Sequence, residues 1–171
     1  METGLLGTAS DTVGTLLSAL YPSFIEGFQG YMLLVFRAFV GFLFILHGVP
    51  KLKHLKIWSA ALGAPLPLCL LSAGFMVIGG SGLMLGLLTP FASVSILVSM
   101  LYAIVIELIK GDPIVAPDPY LLGEYYEGPE GQKGEPPSYE KALLFSLMLT
   151  LIIVFGPGAY SLDALLFSTF G

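Results

Sequence analysis

The chain has 171 residues, of which 56% are hydrophobic and 11% are charged, and its formal net charge is -5 at pH 7. Soluble globular domains carry about 25% charged residues, so this composition excludes an ordinary water-soluble domain and also a disordered chain. The negative charge removes the basic surface that a nucleic-acid partner requires. The single cysteine, Cys69, excludes an internal disulfide and a cysteine-rich metal site. The sequence therefore predicts an integral membrane protein whose first partner is the lipid bilayer.

The first 30 residues contain no lysine or arginine, so they lack the basic region of a secretory signal. Four apolar residues in this stretch recur at helical spacing: Val13, Leu16, Leu17 and Leu20. We expect a short helix lying in the membrane interface. Residues 1–30 would then form an N-terminal interfacial segment, followed by a transmembrane domain of residues 31–171.

Four apolar stretches follow, each long enough to cross a hydrocarbon core of roughly 30 Å as a helix. They are residues 31–49, 66–88, 91–109 and 142–160. Segments in lipid must be helical, because no water is present to satisfy the backbone. The predicted fold is therefore all-α, an integral membrane four-helix bundle with the short interfacial helix before it.

All six lysines fall in the connections 50–65 and 110–141, which lie on the same side of such a bundle. The positive-inside rule then places these two loops in the cytoplasm and both termini outside.

The connection 111–140 is rich in proline and carries seven acids against one lysine. It has two interpretations. It is either a flexible, solvated acidic loop, or a docking surface for a membrane protein partner. The second interpretation assigns the contact to Tyr120, Tyr125 and Tyr126, because tyrosine is favoured at interfaces.

Arg37 lies inside the first predicted span, where a charge costs about 2.5–3.5 kcal/mol on insertion scales. His47 and Lys51 fall about 80° and 40° from it on a helical wheel, so the three form a ladder that rises about 21 Å. Gly41 and Gly48 share that sector and would let a neighbouring helix or a flat ligand approach closely. In one interpretation Arg37 pairs with a buried acid while Lys51 reaches the headgroups. In the other, Arg37, His47 and Lys51 line an electropositive pocket that binds a quinone headgroup or a small anion.

Glu107 lies near the end of the third predicted span, on the same membrane side as Lys51. It is either an interfacial acid paired with a nearby lysine or a proton-carrying acid beside a quinone site. In the second case His47 and Glu107 are the candidate proton relay, since imidazole titrates near neutral pH. With two histidines and no ligand cluster, no protein-held metal is expected. The sequence also lacks the motif for covalently attached haem.

Several short motifs, in order along the chain, resemble the DoxX family. They are Arg37 followed by GFLF at 41–44 and HGVPK at 47–51, then LGLLT at 85–89, and finally GPGAYSLD at 156–163. The resemblance implies a four-helix bundle in a prokaryotic plasma membrane and kinship with the DoxD subunit of thiosulfate:quinone oxidoreductase. Relatives commonly carry an acid in the second helix where this chain has Met76. The resemblance therefore implies either that Glu107 replaces that acid or that the activity is lost.

The first functional hypothesis is a redox-linked membrane subunit that binds a quinone or a small sulfur oxyanion. Its electrons would come from a partner, because one cysteine and no cofactor motif do not support two-electron chemistry in this chain alone. The alternative is a non-catalytic subunit that packs against a larger respiratory or photosynthetic complex. A transporter or channel is the third and weakest hypothesis, because the chain shows no inverted repeat.

Overall fold

The computed structural model describes residues 21, 24–116, 126–127, 133–134 and 137–170. Its helices are α1 (Gly27–Lys53), α2 (Leu55–Leu62), α3 (Leu66–Leu85), α4 (Thr89–Lys110), α5 (Glu140–Phe155) and α6 (Leu162–Phe170). Two strands of two residues each, β1 (Tyr126–Glu127) and β2 (Lys133–Gly134), pair antiparallel within the acidic connection. The described chain is therefore helical apart from this short ladder, which the sequence did not predict.

Three helices, α1, α3 and α4, are long and apolar enough to cross a membrane. This confirms the membrane protein and three of the four predicted spans. The fourth predicted span, residues 142–160, is instead the 16-residue helix α5, which ends at Phe155. The cause is local: Gly156 has a φ of 74° that favours glycine, and Pro157 has no N–H to continue the helix. A helix of this length covers about 24 Å.

The other boundaries also differ from the prediction for local reasons. α1 starts at Gly27 and continues through Pro50 to Lys53. α3 stops at Leu85 because Gly86 adopts a left-handed φ of 67°, and the N–H groups of Gly86 and Leu87 bond back to the last turn of α3. α2 was not predicted, and it occupies most of the first lysine-bearing connection.

The helices pack in sequence, with α1 on α3, α3 on α4 and α4 on α5. The crossing of α1 and α3 is very close, because a Cβ atom on Gly41 would collide with the carbonyl oxygen of Gly80. A Cβ atom on Gly48 would lie 2.9 Å from the Cβ of Met76. The expectation that Gly41 and Gly48 admit a neighbouring helix is therefore confirmed.

The interior is one apolar cluster that runs between these helices. Its buried members are Val40, Phe44, Met76, Leu83, Ile96, Met100, Leu149 and Ile152. Many large apolar side chains on the outer faces of the helices are exposed in the isolated chain, as expected where lipid surrounds them.

Several predictions fall outside the described residues. The proposed interfacial helix around Val13–Leu20 is one of them, as are Tyr120 and Tyr125. Tyr126 is described only as part of β1. The division into residues 1–30 and 31–171 stays a prediction.

Candidate functional site

Arg37 is completely buried near the end of α1 that faces the loop after α5. Its guanidinium donates to the carbonyl oxygens of Pro157 and Tyr160, the second at 3.0 Å. It also packs against the α3–α4 turn, because a Cβ atom on Gly86 would lie 2.7 Å from the Arg37 Cζ. The hydrogen-bond partners found for Arg37 are backbone carbonyls, and the buried carboxylate of Asp163 is close enough to interact with its charge, in line with the first interpretation. Arg37 ties α1 to two other parts of the fold.

Asp163 completes the same end of the molecule and is only 2% exposed. Its carboxylate accepts hydrogen bonds from the backbone N–H groups of Leu88 (2.7 Å) and Thr89 (2.9 Å). These groups begin α4, so Asp163 caps a helix that lies 74 residues earlier in the chain. The sequence does not predict this contact, because helix caps are normally formed by residues that directly precede the helix.

The opposite end of the helices contains two small adjacent cavities, of about 190 and 90 Å³. They share four lining residues: Lys51, Met76, Ala103 and Glu107. We call the two together the Lys51–Glu107 cavity. α1 contributes the lysine, α3 the methionine, and α4 the glutamate and the alanine.

Lys51 is held in place by soft, polarizable neighbours. Its Nζ lies 3.6 Å from the Met76 Sδ and 4.6 Å from the centroid of the Trp58 ring, a cation–π contact. Glu107 presents a buried Oε2 that has no hydrogen-bond partner in the part of the chain that the structure describes. The nearby Lys110 donates to the carbonyl oxygen of Ala61 at 3.3 Å.

His47 lies on the larger part of the cavity, together with Lys141 from the start of α5. Its ring meets the ring of Phe145 edge-on, with the centroids 5.5 Å apart. Phe145 in turn packs on Phe44, with 4.8 Å between centroids. His47 is an exposed residue in the isolated chain. The two residues of the candidate proton relay, His47 and Glu107, therefore line the same cavity.

The structure thus divides the predicted ladder. His47, Lys51 and Glu107 come together at one end, while Arg37 lies 14 residues from Lys51, or about 21 Å along α1. Residues that the sequence analysis did not assign to the site are Met76, Trp58 and Lys141. Of these three, only Lys141 could have been found from the sequence, because it is a lysine at the start of an apolar helix.

The cavity combines three groups that can carry positive charge, His47, Lys51 and Lys141, with one carboxylate. Drug-sized ligands occupy pockets of roughly 300–1,000 Å³, so a cavity of about 190 Å³ suits a headgroup or a small anion. Among the residues that the structure describes, no cluster of three His, Cys, Asp or Glu side chains could hold a metal ion.

These features define a class: a multi-helical membrane protein with a small cavity that is lined partly by charged side chains. A family model described as DoxX matches residues 32–107. This match over 76 of the 171 residues supports the resemblance to the DoxX family found in the sequence. The match runs from residue 32, inside α1, to Glu107, so it covers the cavity walls from α1, α3 and α4 but not the wall from α5, which contributes Lys141 and Phe145. Neither the curated proteins nor the solved structures gave a match to the chain.

Proposed function

We propose that this protein is a redox-linked membrane subunit that binds a quinone headgroup or a small sulfur oxyanion in the Lys51–Glu107 cavity. The observation that carries the proposal is the buried Glu107 Oε2, which has no hydrogen-bond partner among the described residues although the cationic Lys51 lines the same cavity. A buried charged group normally has hydrogen-bond partners. A polar ligand in the cavity would supply one and would meet Lys51 at the same time.

Each residue has a role set by its position. Lys51 holds negative charge on the ligand, and His47 exchanges protons at the exposed mouth of the cavity. Glu107 carries the proton to the buried part. A quinone would take two electrons from a partner protein and two protons through His47 and Glu107. Arg37 was predicted to bind the ligand, but in this proposal it positions α1, because its hydrogen bonds go to the Pro157 and Tyr160 carbonyls.

The same geometry supports the idea that Glu107 takes the place of the acid that relatives carry in the second transmembrane helix. The resemblance implies an acid at the place of Met76, and Met76 and Glu107 line the same cavity. In this proposal Glu107 supplies from α4 the carboxylate that relatives supply from the second transmembrane helix.

The proposal includes the membrane arrangement. α5 would be the fourth crossing helix, since it packs along α4 and is apolar over most of its 16 residues. The lysine-bearing end of the helices would face the cytoplasm of a prokaryotic cell, with both termini outside.

Trp58 allows a direct binding test, because it is the single tryptophan of the chain and lines the smaller part of the cavity. Purified protein in detergent would be titrated with a short-chain quinone, which quenches tryptophan fluorescence on contact. We expect saturable quenching that thiosulfate reduces if the two ligands share the site. Glu107→Gln should weaken the binding, and Glu26→Gln, an exposed glutamate just before α1, should not. Quenching that never saturates would overturn the proposal.

Turnover gives the second test, in native membranes that retain the partner. His47→Ala should lower thiosulfate-dependent quinone reduction by about tenfold or more, because general acid–base catalysis contributes about 10²–10⁴-fold. His54→Ala changes the only other histidine of the chain and should keep the rate. Equal rates in the two variants would exclude His47 from proton transfer.

The alternative function is a non-catalytic subunit that docks through the acidic, tyrosine-rich connection. The ends of that connection lie side by side, since the Tyr139 N–H donates to the Pro113 carbonyl oxygen at 3.4 Å. Residues 117–136 can therefore be replaced by a short Gly-Ser linker. The shortened protein should still fold in the membrane but should no longer co-purify with its complex, and unchanged co-purification would contradict this alternative.

A further inference from the structure

The short helix α2 is largely apolar, yet it is not buried against the rest of the chain. It has the sequence LKIWSAAL and contains no buried residue. Ile57 is 49% exposed in the isolated chain. α2 follows the last residue of α1 and precedes the first turn of α3, so it lies where two membrane-spanning helices leave the hydrocarbon layer. An amphipathic helix at that level is expected to rest in the headgroup region.

Lys53 and Lys56 differ from the other lysines near α2 in their contacts. Lys51 contacts Met76 and Trp58, and Lys110 donates to the Ala61 carbonyl. Lys53 and Lys56 are exposed instead, and within the described part of the chain their side chains make no hydrogen bond or ion pair. Two unpaired ammonium groups therefore flank the start of an apolar interfacial helix.

We propose that α2 is a binding site for anionic phospholipid, with the headgroup phosphate between Lys53 and Lys56 and the acyl chains beside Ile57. The charge of the two lysines complements an acidic headgroup, and the exposed isoleucine meets the hydrocarbon below it. Each lysine near an anionic membrane surface raises the affinity by roughly fivefold. A zwitterionic lipid offers no net charge to this pair.

This lipid site has a consequence for the cavity. α2 carries Trp58 and Leu62, which form one wall of the smaller part of the Lys51–Glu107 cavity. A lipid bound at Lys53 and Lys56 would hold that wall against the ends of α3 and α4. The proposal does not depend on which ligand the cavity binds.

The test is lipid retention by the full-length protein in nanodiscs that contain equal amounts of phosphatidylglycerol and phosphatidylcholine. After mild extraction, native mass spectrometry counts the lipids of each kind that stay bound. We expect phosphatidylglycerol to be retained preferentially. The double variant Lys53→Gln/Lys56→Gln should lower that preference by about tenfold or more, given roughly fivefold for each lysine. The charge-conserving control Lys53→Arg/Lys56→Arg should keep it.

Two results would overturn the proposal: a wild-type protein with no preference between the lipids, or a glutamine variant with the full preference. If the double variant does not fold, each single variant is measured, and raised salt applied to the wild-type protein should weaken the preference. Quinone quenching of Trp58 is measured separately, so failure of the lipid site and failure of the cavity are distinguishable.

Discussion

Arg37 and Lys51 are two cations on one face of α1 that have different surroundings. Arg37 offers several N–H donors in a planar fork, and the carbonyls of Pro157 and Tyr160 accept from two of them. Lys51 is a compact charge on a flexible chain, and its contacts to Met76 and Trp58 are soft. The rigid group therefore connects parts of the backbone, and the adaptable group faces the cavity.

The Met76–Glu107 relation gives the sharpest prediction at the scale of residues. Glu107→Gln should lower quinone reduction in native membranes by about tenfold or more. Adding Met76→Glu to that variant should restore much of the rate, because the new carboxylate arises on the opposite wall of the same cavity. A control variant places the acid elsewhere on α3: Ile78→Glu, at an exposed position, should not restore it. If the folded double variant does not recover the rate, Glu107 does not replace a carboxylate at position 76.

Arg37 allows a second prediction, on stability. Arg37→Met leaves the buried Pro157 carbonyl and the part-buried Tyr160 carbonyl without their donor, at a cost of about 1–3 kcal/mol for a buried group. Thermal unfolding in detergent, followed by circular dichroism, should show a clearly lower midpoint. Arg37→Lys should be intermediate, since an ammonium cannot reproduce the planar fork. Lys53→Met is the control at an exposed position, and an Arg37→Met midpoint equal to that of this control would refute the structural role.

At the scale of helices, the ends and the crossing of α1 with α3 are controlled by small residues and by one distant carboxylate. Gly86 ends α3, Leu88 adopts a φ of 49°, and Asp163 accepts from the first N–H groups of α4. The crossing itself depends on Gly41 and Gly80, whose backbones touch. Such contacts are typical of membrane helices, where close packing replaces the hydrophobic driving force.

The two classes of glycine on α3 make a matched pair for mutagenesis. A Cβ atom on Gly80 would lie 2.7 Å from the Gly41 carbonyl oxygen, whereas one on Gly74 would meet nothing within 4 Å. Gly80→Ala should destabilise the protein by about 1–3 kcal/mol through overpacking. Gly74→Ala should be neutral or slightly stabilising, because alanine is the better helix former. The measurement is again the unfolding midpoint, and equal midpoints would show that the helices do not meet at Gly80.

At the scale of the whole molecule, the number of crossings determines which surfaces face which side. With α5 in the membrane the chain crosses four times and both termini lie on one side. With α5 outside the membrane, the chain crosses three times and the two termini lie on opposite sides. The 16-residue length of α5 leaves both arrangements within the range that membrane thickness and tilt allow.

Reporter fusions separate these arrangements. Alkaline phosphatase fused to either terminus should be active, because it folds only outside the cytoplasm, and green fluorescent protein should be dark at both. Phosphatase activity at one terminus only would show three crossings. Fluorescence at both termini would keep four crossings and reverse the orientation.

The sequence by itself determined the membrane class, the helical fold, three helices long and apolar enough to cross a membrane, and the resemblance to the DoxX family. These follow from hydropathy, length and short motifs, which are local properties of the chain. It also identified His47, Lys51 and Glu107 as chemically exceptional, since a polar group in an apolar segment is costly wherever it lies.

Only the tertiary structure decided how these groups combine. Arg37 and Lys51 share a face of one helix, and each meets partners from distant parts of the chain. The contacts that matter, Arg37 with the Pro157 carbonyl and Lys51 with Met76, join residues 120 and 25 positions apart. Helical periodicity predicts which side of a helix a residue occupies, but not which neighbour is packed there. That choice depends on the packing of the whole bundle, set here by the approach of Gly41 to Gly80.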